Sequence, residues 1–131
     1  ANPKIETLRK AIELGKEKKV DYLLAVGGGS VIDGTKLISA GILYEGDAWD
    51  LVLKGCEKHT LPLGTVLTLP ATGSEMNSGA VISRKETAEN ILSILIIRFF
   101  LFLIRRLLIL CLLIRSLVES PILLCTSWSN I

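Results

Sequence analysis

The stretch from Leu23 to Asp33 reads LLAVGGGSVID, and it constrains the fold of this chain more than any other feature. An apolar run ends in three glycines and a serine, and a helical pattern follows. A buried strand of a parallel sheet leads into a helix through such a turn. Glycine lets the backbone approach a ligand closely, and the N-terminus of the next helix favours an anion. The stretch therefore predicts an α/β fold and a ligand that carries phosphate.

The rest of residues 1–90 alternates helical and extended patterns. The spacing of apolar residues predicts helices over about 3–18 and 30–43, a short helix near Trp49, and buried strands over 20–26, 64–69 and 80–83. Asn2 is expected to cap the first helix with Pro3 at its first position, and Ser30 to cap the second. The residues expected to face the core are Ile5, Leu8, Ala11 and Ile12 in the first helix, and Val31, Ile32, Thr35 and Ile38 in the second. This alternation predicts an α/β fold with a parallel sheet.

A second turn of small residues, PATGSE at 70–75, follows the second strand. Ligands of parallel sheets bind beyond the carboxyl ends of the strands, where both turns belong. Neither standard phosphate motif fits, because Ile32 replaces the third glycine of the dinucleotide fingerprint and Gly34-Thr35-Lys36 scrambles the P-loop. Two such turns favour a nucleotide-type ligand, and a purely structural pair of turns is the alternative.

The two motifs AVGGGSVID (25–33) and LPATGSE (69–75) resemble the iron-containing alcohol dehydrogenase family, in the branch of aldehyde reductases and butanol dehydrogenases. The similarity runs from Asn2 to about Glu89 and implies a Rossmann-like cofactor domain. It assigns the turn around the cofactor pyrophosphate to Gly27, Gly28, Gly29 and Ser30. It assigns further cofactor contacts to Asn2, Asp33, Thr68, Thr72 and Ser74. The alternatives are a solvated Asp33 in the first helical turn, and hydroxyls of Thr68 and Ser74 that merely satisfy backbone groups.

The resemblance also implies a chemistry, a cofactor and partners. Members transfer a hydride between NAD(P) and an alcohol or aldehyde beside iron or another divalent metal, and they form homo-oligomers. One aspartate and three histidines of a C-terminal domain hold that metal, and these ligands are absent here. We therefore predict no catalytic and no metal-binding residue in this chain. No nucleic-acid partner is expected, and cysteines without a paired framework favour a cytoplasmic location.

The composition changes abruptly near residue 90, which divides the chain into a cofactor-domain fragment (1–90) and an apolar tail (91–131). The first part nets −1 and holds all 11 glycines, whereas the tail nets +3 and is mostly Leu, Ile and Phe. We expect the tail to be helical from composition alone. Residues 91–114 are long and apolar enough for a membrane segment, but three arginines inside it, Arg98, Arg105 and Arg106, argue against insertion.

An interpretation of the tail as out-of-frame translation fits better. Shifted by one base, the codons allowed for the last residues spell Phe-Val-His with an aspartate two places earlier, which resembles the family's first pair of metal ligands. The slip is placed at Glu89-Asn90-Ile91, where an adenine run is expected to have lost one base. The chain, which starts without Met, is interpreted as an inactive internal fragment of a dehydrogenase. A non-catalytic nucleotide-binding remnant and a membrane-associated peptide are the alternatives, and neither the substrate nor the choice of NAD or NADP is determined.

Overall fold

The computed structural model describes residues 2–56, 60–69, 71–84, 89–94, 99–102 and 122–125. The helices are α1 (Ile5–Glu17), α2 (Gly29–Ile42) and α3 (Ala48–Lys54), and a single 3-10 turn spans Ser74–Met76. The strands are β1 (Tyr22–Gly27), β2 (Leu63–Leu67), β3 (Gly79–Arg84), β4 (Glu89–Ile94), β5 (Phe99–Phe102) and β6 (Ile122–Cys125). The predicted helices and strands of residues 1–90 are all present, with bounds shifted by a few residues.

The central sheet is parallel, as predicted, with the strand order β5-β2-β1-β6. The register between its two middle strands sets Gly27 opposite Leu67. Because parallel strands end at the same edge, the glycine turn after β1 and the segment after β2 leave the sheet side by side. The sheet thereby brings together the two turns that the sequence singled out.

The core lies mainly between this sheet and the helices. The predicted inward face of α1 is fully or nearly buried (Ile5, Leu8, Ala11, Ile12). The predicted face of α2 is also buried or packed against the core, but burial extends further, because every residue from Ile32 to Gly41 is buried. A helix buried all round lies inside the molecule. Helix α2 contacts β1, β2, β3, α1 and α3, so its polar residues are enclosed as well.

The prediction that Asn2 caps the first helix is wrong, because α1 begins at Ile5 and its N-cap is Lys4. The carbonyl of Pro3 accepts a hydrogen bond from the Ser83 amide at 3.0 Å, and Lys4 forms a parallel bridge with Ser83. This pairing with β3 holds residues 3 and 4 extended. The Asn2-Pro3 pair favours a helix that begins at Pro3, but the tertiary contact with Ser83 prevents it.

The prediction that Ser30 caps the second helix is also wrong. The N-cap of α2 is Gly28, whose carbonyl accepts from the amides of Val31 at 3.1 Å and Ile32 at 3.2 Å. Ser30 therefore lies within the first turn. The glycines shorten the connection so far that the helix begins within two residues of the strand.

Two strands behave differently from expectation. The strand predicted over 64–69 ends at Leu67, and Pro70, its expected stop, lies outside the described residues. The third predicted strand forms, but as β3 it leaves the parallel sheet and pairs antiparallel with β4. Strand β4 crosses the predicted boundary at 90/91, so backbone pairing continues past the change in composition.

The described parts of the tail are strands, whereas composition led us to expect a helix. Phe99–Phe102 pairs with β2 and Ile122–Cys125 pairs with β1, both in parallel. A short apolar run suits a buried strand as well as a helix, and open strand edges of β1 and β2 offer unpaired backbone groups. Within the described residues, none of the helices combines the length and apolarity needed to cross a bilayer.

Candidate functional site

The glycine turn and the segment after β2 meet at the carboxyl edge of the sheet. The amide of Thr68 donates to the carbonyl of Gly27 at 3.0 Å, which extends the β1–β2 contact by one step beyond the strands. Thr68 itself is exposed at this edge. The start of α2 lies at the same place, and the positive end of a helix dipole lies at the helix N-terminus. An anion placed here would meet backbone N–H groups and the positive end of the helix dipole.

Two adjacent glycines of the turn have opposite surroundings. A Cβ atom added to Gly28 would meet nothing within 4 Å, and the backbone there is extended (φ −86°, ψ −173°), so it needs no glycine. A Cβ atom added to Gly29 would collide with the hydroxyl of Thr72 and approach that of Ser74 at 3.2 Å. Gly29 thus lets the segment after β2 (residues 71–77, the second loop) pack against the helix, whereas Gly28 leaves open space above the turn.

The second loop presents two hydroxyl groups to the turn. The oxygens of Thr72 and Ser74 lie 2.7 Å apart and share a hydrogen bond. Thr72 is exposed and Ser74 is buried. Gly73 between them has a left-handed backbone (φ +66°), which favours glycine, and its carbonyl accepts from the side-chain amide of Asn77 at 3.0 Å. The loop is therefore held in one shape by its own hydrogen bonds.

Asp33 points into the protein and is 8% exposed. One carboxylate oxygen accepts from the amide of Val81 at 3.0 Å, and the other accepts from Nζ of Lys36 at 3.4 Å. The alternative of a solvated Asp33 is therefore wrong. The carboxylate joins α2 to β3, and both of its oxygens have partners within the chain.

Lys36 is buried beside Asp33, with no exposed surface. Its Nζ also donates to Oδ1 of Asn77 at 3.2 Å and to the carbonyl of Gly79 at 2.6 Å. Donation to three acceptors needs three N–H bonds, which the charged ammonium has and the neutral amine lacks. Burial lowers the pKa of Lys36, while the charge and hydrogen bond of Asp33 and the charge of Glu75 oppose that shift.

The structure brings most of the predicted site residues together. At one edge of the sheet Gly27 meets Thr68, and Gly29 meets Thr72 and Ser74, while Gly28 and Ser30 lie beside them in the turn. Asn2 has its described contact elsewhere, since its side chain donates to Asn90 on β4 at 3.4 Å. The cofactor contacts assigned to these residues stay predictions.

Sequence reasoning missed Lys36 and Asn77, the two side chains that hold the second loop to α2. One signal was available for the lysine. The segment from Val31 to Ile42 contains two charged residues of opposite sign, Asp33 and Lys36, at the i, i+3 spacing of one helix face. No comparable signal marked Asn77, because its role depends on a contact across 41 residues of chain.

The described residues offer no metal centre. No group of three or more His, Cys, Asp or Glu side chains in the described ranges is arranged to hold a metal ion. The side chain of Cys56 is buried. At the sheet edge the start of α2 lies beside the hydroxyls of Thr72 and Ser74, and helix N-termini and hydroxyls are groups of the kind that bind anions.

Comparison with known proteins identifies relatives of this chain. The family described as iron-containing alcohol dehydrogenase matches residues 1–96. The probable NADH-dependent butanol dehydrogenase 1 of Bacillus subtilis is 61% identical over 89 residues, which cover 67% of this chain and 23% of that protein. The NADPH-dependent aldehyde reductase YqhD of Escherichia coli is 55% identical over 92 residues, covering 67% of this chain and 24% of that protein. The chain thus spans about a quarter of the length of these relatives.

A solved structure gives the same result for the fold. The crystal structure of NADH-dependent butanol dehydrogenase A from Thermotoga maritima superposes with a TM-score of 0.70 at 40% identity, covering 76% of this chain and 26% of that one. The family match, the identities and the shared fold all lead to the same family. By its sequence and its fold, this chain belongs to the iron-containing alcohol dehydrogenase family.

Proposed function

We propose that this chain is the cofactor-binding part of an NAD(P)-dependent alcohol dehydrogenase or aldehyde reductase, and that NAD(P) binds across the glycine turn. One observation carries the proposal: Gly28 opens onto free space while Gly29 is packed against the hydroxyls of Thr72 and Ser74. The turn is therefore closed toward the protein and open toward a ligand. Relatives named as butanol dehydrogenases and aldehyde reductases support an alcohol or aldehyde as the substrate of the whole enzyme.

The residues of this chain fit the cofactor at its phosphates. A pyrophosphate above Gly28 would meet the first amides of α2 and the positive end of its dipole, without a side chain in the way. Thr68 and Thr72, both exposed at the same edge, are proposed to contact the nicotinamide side. When bound, NAD(P) supplies or accepts a hydride, and the residues described here bind and orient it.

Two of the proposed cofactor residues are less directly placed. Both carboxylate oxygens of Asp33 are occupied by protein donors, so we propose that this residue shapes the site by holding β3. Asn2 is proposed as a cofactor contact on the resemblance alone.

We also propose that the chain as it stands has no dehydrogenase activity, although its family uses iron or another divalent metal. The chain contains one histidine, whereas the resemblance implies three histidine ligands. No step is assigned to a metal here, because the described residues do not fit one. Incubation with a primary alcohol, NADP and added Fe²⁺ or Zn²⁺ tests this, and NADPH production would contradict it.

Substitution of Gly28 by valine tests the cofactor proposal. The side chain enters open space, and the extended backbone accepts any residue, so we expect folding to be retained. NADH and NADPH binding, measured by fluorescence titration, is expected to be lost because the new methyl groups occupy the path of the phosphates. The matched control is Glu13→Val, which adds the same side chain at an exposed position of α1. Unchanged binding in Gly28→Val contradicts the proposal.

The tail carries a separate proposal: residues 91–131 are translated out of frame after Glu89. The support is compositional, since the tail has no Gly, Ala, Asp, Lys or Gln. The nucleotide sequence across the codons for residues 86–94 tests it. An adenine run of the same length as in related genes would contradict it. A cytoplasmic location and homo-oligomers of the whole enzyme also remain proposals.

A further inference from the structure

A buried charge lies next to the proposed cofactor cleft, and the binding of the cofactor itself does not use it. Lys36 has no exposed surface, and lysine is among the residues least often buried. Burial of an ammonium group is unfavourable unless hydrogen bonds and an opposite charge compensate it. Here Asp33 supplies the charge, and Asn77 and Gly79 supply further acceptors. An arrangement of this kind calls for an explanation beyond packing.

Hydrogen bonds connect this ammonium group to the second loop. Nζ of Lys36 donates to Oδ1 of Asn77 at 3.2 Å, and the amide nitrogen of the same asparagine donates to the carbonyl of Gly73 at 3.0 Å. Gly73 lies between Thr72 and Ser74. The hydroxyls of these two residues fill the space that a side chain at Gly29 would occupy. A continuous path therefore runs from the buried ammonium to the face of the loop that meets the glycine turn.

The same group also fixes the far end of the loop. Lys36 donates to the carbonyl of Gly79, the first residue of β3, and Asn77 accepts from the amide of Gly79 at 3.0 Å. Asp33 holds β3 two residues further on through the amide of Val81. The segment between Gly73 and Gly79 is thus tied at both ends to α2, the helix whose N-terminus forms the other wall of the cleft.

We propose that Lys36 is a positioning residue of the cofactor site, which acts through Asn77 to hold Thr72 and Ser74 against the glycine turn. The proposal rests on the function proposed above, because it concerns the same cleft. The ammonium does not reach the ligand. It sets the distance between the two walls, so that the hydroxyls and the helix amides meet the cofactor in a fixed arrangement.

Two variants of the full chain test this role. Lys36→Met removes all the donors and keeps a side chain of similar length, and Asn77→Ala breaks the path at an exposed residue whose loss spares the core. Each is expected to weaken NADPH binding about tenfold, since each removes a charge-assisted hydrogen bond from the path. The double variant is expected to bind no more weakly than the weaker single variant, because both changes break one path.

Two matched controls separate positioning from stability. Glu17→Ala removes an exposed polar side chain at the end of α1, and Leu8→Ala weakens the core at α1, both away from the cleft. Both are expected to keep the NADPH affinity of the wild type, even though Leu8→Ala lowers the free energy of unfolding. A loss of affinity that follows stability in all variants would overturn the proposal.

A measurement without cofactor completes the test. Amide hydrogen exchange of residues 72–76 is expected to accelerate in Lys36→Met and Asn77→Ala and to stay unchanged in the controls. Unchanged exchange in both variants overturns the Lys36 proposal whatever NADPH does. A wild-type chain that binds neither NADH nor NADPH overturns the proposed function. If the wild type and both variants bind the cofactor equally well, the Lys36 proposal alone is overturned.

Discussion

Two ion pairs of this molecule lie in contrasting regions, one inside and one at the surface. Arg9 and Asp47 join α1 to the start of α3 with a short contact of 2.6 Å, and their side chains are 36% and 48% exposed. Lys36 and Asp33 lie 3.4 Å apart, with exposures of 0% and 11%. Judged by distance, the surface pair is the better one. Judged by environment, loss of the buried pair is expected to lower the free energy of unfolding more, because water screens Arg9 and Asp47 but not Lys36 and Asp33.

The largest effect is expected from Lys36→Met. The substitution leaves the carboxylate of Asp33 buried without its cation, and breaking such a pair costs about 3 kcal/mol of folding free energy. Urea unfolding followed by circular dichroism measures the loss. Lys10→Met, the same substitution at an exposed position of α1, is the control and is expected to change stability little. Equal losses in the two variants would remove the distinction between the regions.

The buried pair is also expected to make stability depend on alkaline pH. Burial lowers the pKa of Lys36 from its ordinary 10.5, so the folded chain releases this proton at a pH where the unfolded chain still holds it. Between the lowered pKa and 10.5, folding stability rises with pH by at most about 1.4 kcal/mol per unit. Below the lowered pKa both states are protonated and the slope vanishes. Unfolding of the wild type and Lys36→Met across this window measures it, and parallel curves would contradict the expectation.

A smaller effect is expected from Asp47→Ala, about 1 kcal/mol. Asp47 is the N-cap of α3 and accepts from the amide of Trp49 at 3.1 Å, besides pairing with Arg9. Asp47→Asn keeps a capping oxygen and loses the charge, so it is expected to recover most of the stability. Thermal unfolding of both variants separates the cap from the ion pair. If asparagine proves as harmful as alanine, the charge matters more than the cap.

The smallest effect is expected from Arg9→Ala, about 0.5 kcal/mol, because both partners are well exposed. The hydrogen bond from Arg9 lowers the pKa of Asp47, so this contribution is present above the ordinary value of 3.8 and is lost as the pH falls through the lowered value. Because salt screens an exposed ion pair, the wild type and Arg9→Ala are expected to have equal free energies of unfolding at high salt concentration. A loss that matches that of Lys36→Met would show that burial does not set the energy of these pairs.

The same contrast explains what sequence reasoning found at the site. The glycine turn and the TGSE turn were predictable, since each follows an apolar strand and glycine marks the sharp connection. The edge where they meet follows from parallel pairing alone. Lys36 was not predictable as a buried residue, because lysine is ordinarily a surface residue and its acceptors Asn77 and Gly79 come from distant sequence.

The starts of the helices show a similar division. The periodic faces of α1 and α2 were set by residues three and four apart, which a reader of the sequence sees directly. Their first residues were not. Because Pro3 and Lys4 pair with Ser83, α1 begins later in the chain than predicted. Because the carbonyl of Gly28 accepts the first helical hydrogen bonds, α2 begins earlier than predicted. Caps depend on how the chain enters a helix, and here distant strands or the turn itself fix that path.

The sequence by itself determined the α/β alternation, the buried faces of the helices and the two turns, because these follow from local spacing and residue type. The family came from the resemblance that the two turn motifs carry. Only the tertiary structure decided that β3 leaves the parallel sheet for a hairpin with β4, that the described parts of the tail form strands beside β1 and β2, and that Lys36 is buried against the second loop. Each of these outcomes depends on backbone or side-chain groups that meet across long stretches of chain. The pattern of apolar residues predicts which side chains are buried. Only the packed structure shows which hydrogen-bond partner each buried polar group has.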